Sequence, residues 1–105
     1  MAVIKRLEGI VRKIENESLT LDLKKIKEAS DKMRVCNGTV VVSMKLNAEK
    51  LQAGRHINLY ISECGGYVRH KQWQYDVYAI LEGDDGQQKF LGSVPLGAVK
   101  LNFGE

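Results

Sequence analysis

The chain has 105 residues, and its 16 Lys and Arg residues outnumber its 13 Asp and Glu residues to leave a formal net charge of +3. With 44% hydrophobic and 28% charged residues, the composition is that of one globular domain and excludes a wholly disordered chain. No apolar run approaches the roughly 20 residues that span a bilayer, and residues 1–14 lack the apolar stretch of a secretory signal. We therefore expect a single domain, residues 1–105, in the cytoplasm and with no membrane partner.

The first third of the chain predicts a hairpin followed by a helix. Apolar residues between positions 3 and 14 fit either an amphipathic helix or one face of a strand with a bulge at Gly9. We favour the strand, because the turn at residues 16–18 is short enough to pair it with the alternating residues 19–23. Residues 24–34 carry apolar side chains at every third or fourth position, which predicts one short helix or a disordered stretch.

The remaining two thirds of the chain predict strands. Apolar and polar residues alternate with period two in residues 39–46, 56–62, 72–82, 88–94 and 98–103. The sequence GDDG at residues 83–86 predicts a hairpin between the third and fourth of these segments. Because no strand–helix–strand repeat is present, we expect an all-β fold: a small barrel (OB-like) or a β-sandwich of six to seven short strands with one short helix near residues 24–34.

Aromatic and basic residues concentrate between positions 60 and 78, where five of the seven aromatic residues of the chain lie. Aromatic rings stack on unpaired bases and basic groups neutralise phosphates, so this mixture is typical of a groove for single-stranded nucleic acid. Tyr60 and Tyr78 are out of phase with the apolar faces of their strands, whereas Trp73 is in phase and is expected at the rim of the core. The candidate stacking residues are Tyr60, Tyr67, Trp73 and Tyr78, and the candidate phosphate contacts are Arg69, Lys71, Arg12, Lys13 and Lys45. An ordinary core with an ordinary polar surface explains the same pattern equally well.

The excess positive charge lies at the start of the chain. Residues 1–34 contain nine basic and six acidic residues, which accounts for the whole net charge of +3. Basic doublets such as Arg12-Lys13 would line one side of the N-terminal hairpin, while the interspersed acids favour a solvated face of mixed charge.

Two passages resemble a known family. Residues 40–46 (VVVSMKL), the L-x-x-G at residues 51–54 and residues 56–62 (HINLYIS) form a strand–turn–strand passage, and residues 7–11 (LEGIV) with residues 19–21 (LTL) resemble the first hairpin of an OB-fold. The pattern is similar to that of OB-fold single-stranded DNA-binding proteins of phages and plasmids. This resemblance implies a barrel that binds single strands. The strands near the C-terminus exceed the five of a minimal OB-fold, so the sandwich stays an alternative.

Residues that could support catalysis lack the required spacing. The chain contains no phosphate-binding loop and no nucleophile elbow, and Cys36, Cys64, His56 and His70 lack the spacing of a zinc site. We therefore expect no catalytic residue, no metal site and no cofactor, and whether the two cysteines lie close enough to pair stays open.

The function that these features predict is non-specific binding of single-stranded DNA or RNA by stacking aromatic and basic side chains. The alternative is a β-sandwich that mediates protein–protein interaction or assembly, such as an inhibitor of a host protein or a homo-oligomer. Tyr, Trp and Arg also dominate protein interfaces, so the composition does not separate these two functions.

Overall fold

The computed structural model describes residues 3–29, 32–43, 47, 51–63, 74–83 and 86–103. These residues form seven strands and one 3₁₀ turn at Leu96–Ala98. The strands are β1 (Val3–Glu15), β2 (Ser18–Glu28), β3 (Arg34–Val42), β4 (His56–Glu63), β5 (Gln74–Leu81), β6 (Gln88–Pro95) and β7 (Val99–Phe103). The expectation of an all-β fold with up to seven strands is confirmed, as is the strand rather than the helix at the start of the chain.

The strands form one antiparallel sheet in the order β6-β5-β4-β1-β2-β3-β7. The two edge strands, β6 and β7, follow one another in the chain and are separated only by Leu96–Ala98. The sheet therefore coils until its two edges approach at one end. No ladder joins β6 to β7 in the described part of the chain, so the sheet is not closed into a barrel. A backbone hydrogen bond from Asn47 N to the Leu91 carbonyl (2.7 Å) links the connection after β3 to the edge strand β6, while a bond from Ser43 N to the Ala98 carbonyl (2.9 Å) continues the ladder between β3 and β7.

One hydrophobic core lies on the inner face of the coiled sheet. Strands β1 to β6 all contribute buried apolar side chains to it, together with Leu51 from the connection between β3 and β4. Alternate residues of the neighbouring strands β4 and β5 are buried as the period-two pattern predicts: Ile57, Leu59 and Ile61, and Val77, Ala79 and Leu81. The intervening residues point to the outer face of the sheet.

The irregularity predicted at Gly9 is present, and the extra residue is on the partner strand. Gly9 pairs with Leu23 whereas Glu8 pairs with Lys25, so Lys24 of β2 bulges out of the ladder. A Cβ atom at Gly9 would collide with the backbone carbonyl of Asp22. Glycine therefore lets β1 cross β2 closely where the sheet bends, and the bulge increases the local twist.

The helix predicted near residues 24–34 is wrong. Residues 24–28 continue β2, and β3 begins at Arg34. The bulge at Lys24 contributes to the error, because it places Ile26 rather than residue 25 on the core face, where Ile26 is fully buried. A strand that buries residues 23 and 26 has the three-residue spacing of a helix, although its backbone is extended. The next residue of the predicted apolar stripe, Ala29, is exposed and follows the end of β2, so the stripe does not form one buried face.

Ala29 directly follows β2 and has a strained conformation, with φ of 49°. Its N–H donates to the Ile4 carbonyl at 2.8 Å, which holds the left-handed backbone in place. A left-handed conformation costs a residue with a Cβ about 1–2 kcal/mol, so we expect Ala29→Gly to raise the free energy of unfolding by about 1 kcal/mol in urea denaturation. Ala53→Gly is the matched control. Ala53 is exposed and has no such strain, so this change should instead lower stability by about 0.5 kcal/mol. Equal effects of the two substitutions would contradict the assignment of strain to Ala29.

Candidate functional site

A row of aromatic and basic side chains crosses the outer face of the sheet. The ladders pair Lys27 of β2 with Arg6 of β1, Arg6 with Tyr60 of β4, Tyr60 with Tyr78 of β5, and Tyr78 with Phe90 of β6. These five residues, which we call the aromatic–basic row, occupy one register position on five adjacent strands. Neighbouring strands lie about 4.8 Å apart, so the row is about 19 Å long.

Direct contacts hold neighbouring members of the row together. The Arg6 guanidinium lies over the Tyr60 ring, with its Cζ 5.4 Å from the ring centroid. The Tyr78 and Phe90 rings have centroids 5.3 Å apart and are tilted by 58°. Tyr60 and Tyr78 are half-buried, whereas Phe90 is 51% exposed. The row thus presents aromatic surface at one end and positive charge at the other.

The charge at the basic end of the row is only partly neutralised. Arg6 forms an ion pair with Glu8 at 3.2 Å, and its buried Nε has no hydrogen-bond partner in the described part of the chain. The β2 lysines Lys24, Lys25 and Lys27 are exposed, and no carboxylate among the described residues lies within ion-pairing distance of them. Three exposed lysines beside the aromatic surface create a local positive potential that favours an anionic partner.

Two depressions accompany the row. A cavity of about 200 Å³ is lined by Arg6, Lys27, Ala29 and Tyr60. A larger one, of about 400 Å³, lies over the next register position of the same strands, and its lining includes Lys24, Lys25, Glu8, His56, Asn58 and Ile80. The surface beside the row therefore contains two depressions that are large enough to hold parts of a ligand.

The structure brings together two of the candidate residues. Tyr60 and Tyr78 are directly paired on the outer face, in agreement with the phase of their strands. Arg12 and Lys13 lie elsewhere on β1, where Arg12 approaches Asp22 at 3.7 Å and Lys13 approaches Glu15 at 3.1 Å. Six residues separate Arg12 from Arg6, which is about 20 Å along a strand. Tyr67, Arg69, Lys71, Trp73 and Lys45 lie outside the described residues.

Sequence analysis missed three members of the row: Arg6, Lys27 and Phe90. The phase of Phe90 in its strand could have been used in the same way as that of Tyr78. Phe90 precedes the buried Leu91, so its side chain points to the outer face. Arg6 likewise alternates with the buried Leu7. Both were detectable by phase, but only the pairing of strands distant in sequence shows that they share a row with Tyr60.

Other reactive groups do not assemble into a site in the described part of the chain. No cluster of three or more potential metal ligands occurs there, and none of the helical segments in those ranges is long and apolar enough to cross a membrane. Partial burial raises the pKa of the Cys36 thiol above its ordinary value, and the positive charge of Arg34 opposes that rise. Cys64 lies outside the described residues, so the question of a cysteine pair stays open.

Comparison of the chain with protein-family models, with curated proteins and with solved structures finds no match.

Proposed function

We propose that this protein binds single-stranded DNA or RNA along the outer face of its sheet, with the aromatic–basic row as the contact surface. Bases stack on Tyr60, Tyr78 and Phe90, while Arg6 and Lys27 contact the phosphate backbone. The aromatic–basic row is the main support for this proposal, because it places aromatic rings next to positively charged side chains on a rigid sheet.

The chemistry of the row fits single strands better than duplexes. Unpaired bases expose ring faces, and stacking on aromatic side chains tolerates any base, whereas the bases of a duplex are stacked on one another. Lys24, Lys25 and Lys27, which form no ion pair with the described residues, supply the electrostatic part of such binding, which does not depend on sequence. The ladder between β1 and β2 pairs Lys27 with Arg6 and Lys25 with Glu8.

The arrangement of strands is consistent with both the OB-like and the sandwich alternatives. Strands β3-β2-β1-β4-β5 are neighbours in the sheet, and β6 and β7 extend it at its two edges without closing it into a barrel. OB-folds bind single strands mainly across the face of their second and third strands. In the present proposal the aromatic part of the surface lies instead on β4, β5 and β6, and β2 contributes lysines.

Salt dependence tests the electrostatic part of the proposal. Binding of a labelled single strand of about 20 nucleotides, followed by fluorescence anisotropy, should weaken steeply between about 50 and 200 mM salt. Because each phosphate contact to a single strand contributes about 0.7 to the slope of log K against log salt, Lys27→Ala should reduce that slope by about 0.7.

Lys100→Ala is the matched control for Lys27→Ala. Lys100 is an exposed lysine on β7, which lies three strands away from β1 in the sheet, so its loss should leave the slope unchanged. Absence of binding at low salt would overturn the proposal. Salt-insensitive self-association in sedimentation experiments would instead favour the assembly module, which could use the open edges of β6 and β7.

A further inference from the structure

The smaller cavity lies at the basic end of the aromatic–basic row. Its volume is about 200 Å³, and the described residues that line it are Arg6, Lys27, Ala29 and Tyr60. In the described part of the chain the ladder between β2 and β3 ends at Ile26, so Lys27 is the last member of the row on this side. A nucleic-acid strand that stacks its bases on the three rings of the row and continues towards Arg6 therefore reaches this cavity next.

The lining of the smaller cavity is positively charged. Arg6 and Lys27 are cations, Tyr60 adds a hydroxyl group that can donate a hydrogen bond, and none of the described lining residues is acidic. Nη2 of the Arg6 guanidinium contacts Glu8, whereas Nη1 has no hydrogen-bond partner among the described residues. Lys27 is exposed and forms no ion pair with the described residues. Donors on both cations therefore remain for an anion.

The larger cavity differs from the smaller one in charge and size. Its lining combines the basic side chains of Lys24 and Lys25 and the imidazole of His56 with two carboxylates, those of Glu8 and Glu82. Such a mixture of charges gives an anion no clear advantage, whereas the smaller cavity has basic side chains alone. Pockets that enclose a whole small molecule measure about 300–1,000 Å³, so the smaller cavity suits a single charged group.

We infer that the smaller cavity receives a terminal phosphate of the bound strand, an inference that rests on the proposed function. A terminal phosphate is a monoester with three acceptor oxygens and a charge of about −1.5 to −2 at neutral pH, whereas each internal phosphate is a diester with less charge. Its oxygens accept charge-assisted hydrogen bonds from Arg6 and Lys27, which are stronger than bonds between neutral groups. The protein therefore prefers strand ends that carry a phosphate to ends that carry a hydroxyl group.

Short oligonucleotides of one sequence test the inference. Three versions of about six nucleotides carry a phosphate at the 5′ end, a phosphate at the 3′ end, or hydroxyl groups at both ends. Each competes with the labelled strand of about 20 nucleotides in fluorescence anisotropy at low salt. We expect a phosphate at one end to tighten binding about tenfold, and the same charge at the other end to add little, because only one end reaches the cavity. Lys27→Ala should remove most of this gain.

Lys100→Ala is again the matched control and should keep the whole gain, because Lys100 lies on β7, away from the cavity. An equal gain at both ends, or a gain that survives Lys27→Ala, would mean that added charge alone accounts for it and would overturn the end-binding cavity. Equal affinity of all three versions would overturn it as well. These results leave the proposed function intact, whereas failure of the labelled strand and of every version to bind would overturn both.

Discussion

Tyr78→Ala should weaken binding of a single-stranded oligonucleotide by about tenfold or more, because each base stacked on an aromatic side chain contributes about 1–3 kcal/mol. Tyr78 is the central aromatic residue of the row, paired with Tyr60 on one side and with Phe90 on the other. Its loss removes one stacking surface and also the ring that holds Phe90 at a centroid distance of 5.3 Å. Fluorescence anisotropy at low salt measures the change.

Two further variants distinguish stacking from a general loss of structure. Tyr78→Phe keeps the ring and should retain most of the affinity. Phe103→Ala is a closely matched control, because Phe103 is 45% exposed and lies under the Arg34 guanidinium at 6.0 Å, as Tyr60 lies under Arg6. Phe103 is on β7, at the far edge of the sheet from β6. If Phe103→Ala weakened binding as much as Tyr78→Ala does, the aromatic–basic row would not be the contact surface.

Local patterns were sufficient to predict most of the strands. The GDDG turn predicted the hairpin of β5 with β6, and the period-two alternation predicted which side chains of β4 face the core. Both are properties of neighbouring residues, since side-chain direction in a strand alternates with position and turn residues favour particular backbone angles. The strand at the start of the chain was favoured for the same reason, through the short connection to β2.

The error at residues 24–34 shows where local patterns fail. A bulge adds one residue to a strand and turns the following side chains to the other face, so a bulged strand and a helix have the same spacing of apolar residues over a short segment. The bulge in β2 lies opposite Glu8 and Gly9 of β1. Only this pairing, which the sequence of β2 does not encode by itself, distinguishes the two structures.

The candidate site was predictable in part. The phase of Tyr60 and Tyr78 placed both on the outer face, but their arrangement as neighbours depends on the register between β4 and β5. The alignment of Arg6 with Tyr60 was harder to predict from the sequence, because β1 pairs with a strand more than 40 residues later in the chain. Such non-local pairing is determined by the packing of the whole core rather than by any short segment.

The distribution of charge in the sequence also needs the structure for its interpretation. Arg12 and Lys13 are as conspicuous in sequence as the lysines of β2, yet both lie near carboxylates, which reduces the field they contribute. Lys25 and Lys27 form no ion pair with a carboxylate among the described residues, although Lys25 lies opposite Glu8 in the ladder, and Lys27 belongs to the row. Among the basic residues of the first 34 positions, it is therefore the lysines of β2, rather than the Arg12-Lys13 doublet, that contribute positive charge beside the aromatic surface.

Gly9→Ala should lower the free energy of unfolding by about 3 kcal/mol, a large part of the stability of a typical small domain. The added Cβ would collide with the backbone carbonyl of Asp22, which cannot move aside as a flexible side chain could. β1 is bonded to β2 on one side and to β4 on the other, so a shift that relieves the collision disturbs one of the two ladders. Urea denaturation followed by circular dichroism measures the loss.

Gly97→Ala separates this steric effect from the ordinary consequences of replacing glycine. No atom lies within 4 Å of a Cβ built at Gly97, and the backbone there does not require a left-handed angle. Because alanine restricts the unfolded chain, we expect Gly97→Ala to be neutral or to stabilise by about 0.5 kcal/mol. The same restriction acts at Gly9, where the collision must outweigh it. Equal stabilities of the two variants would mean that β1 and β2 separate without cost at the bend. In that case the register that aligns Arg6 with Tyr60 would not be rigidly held.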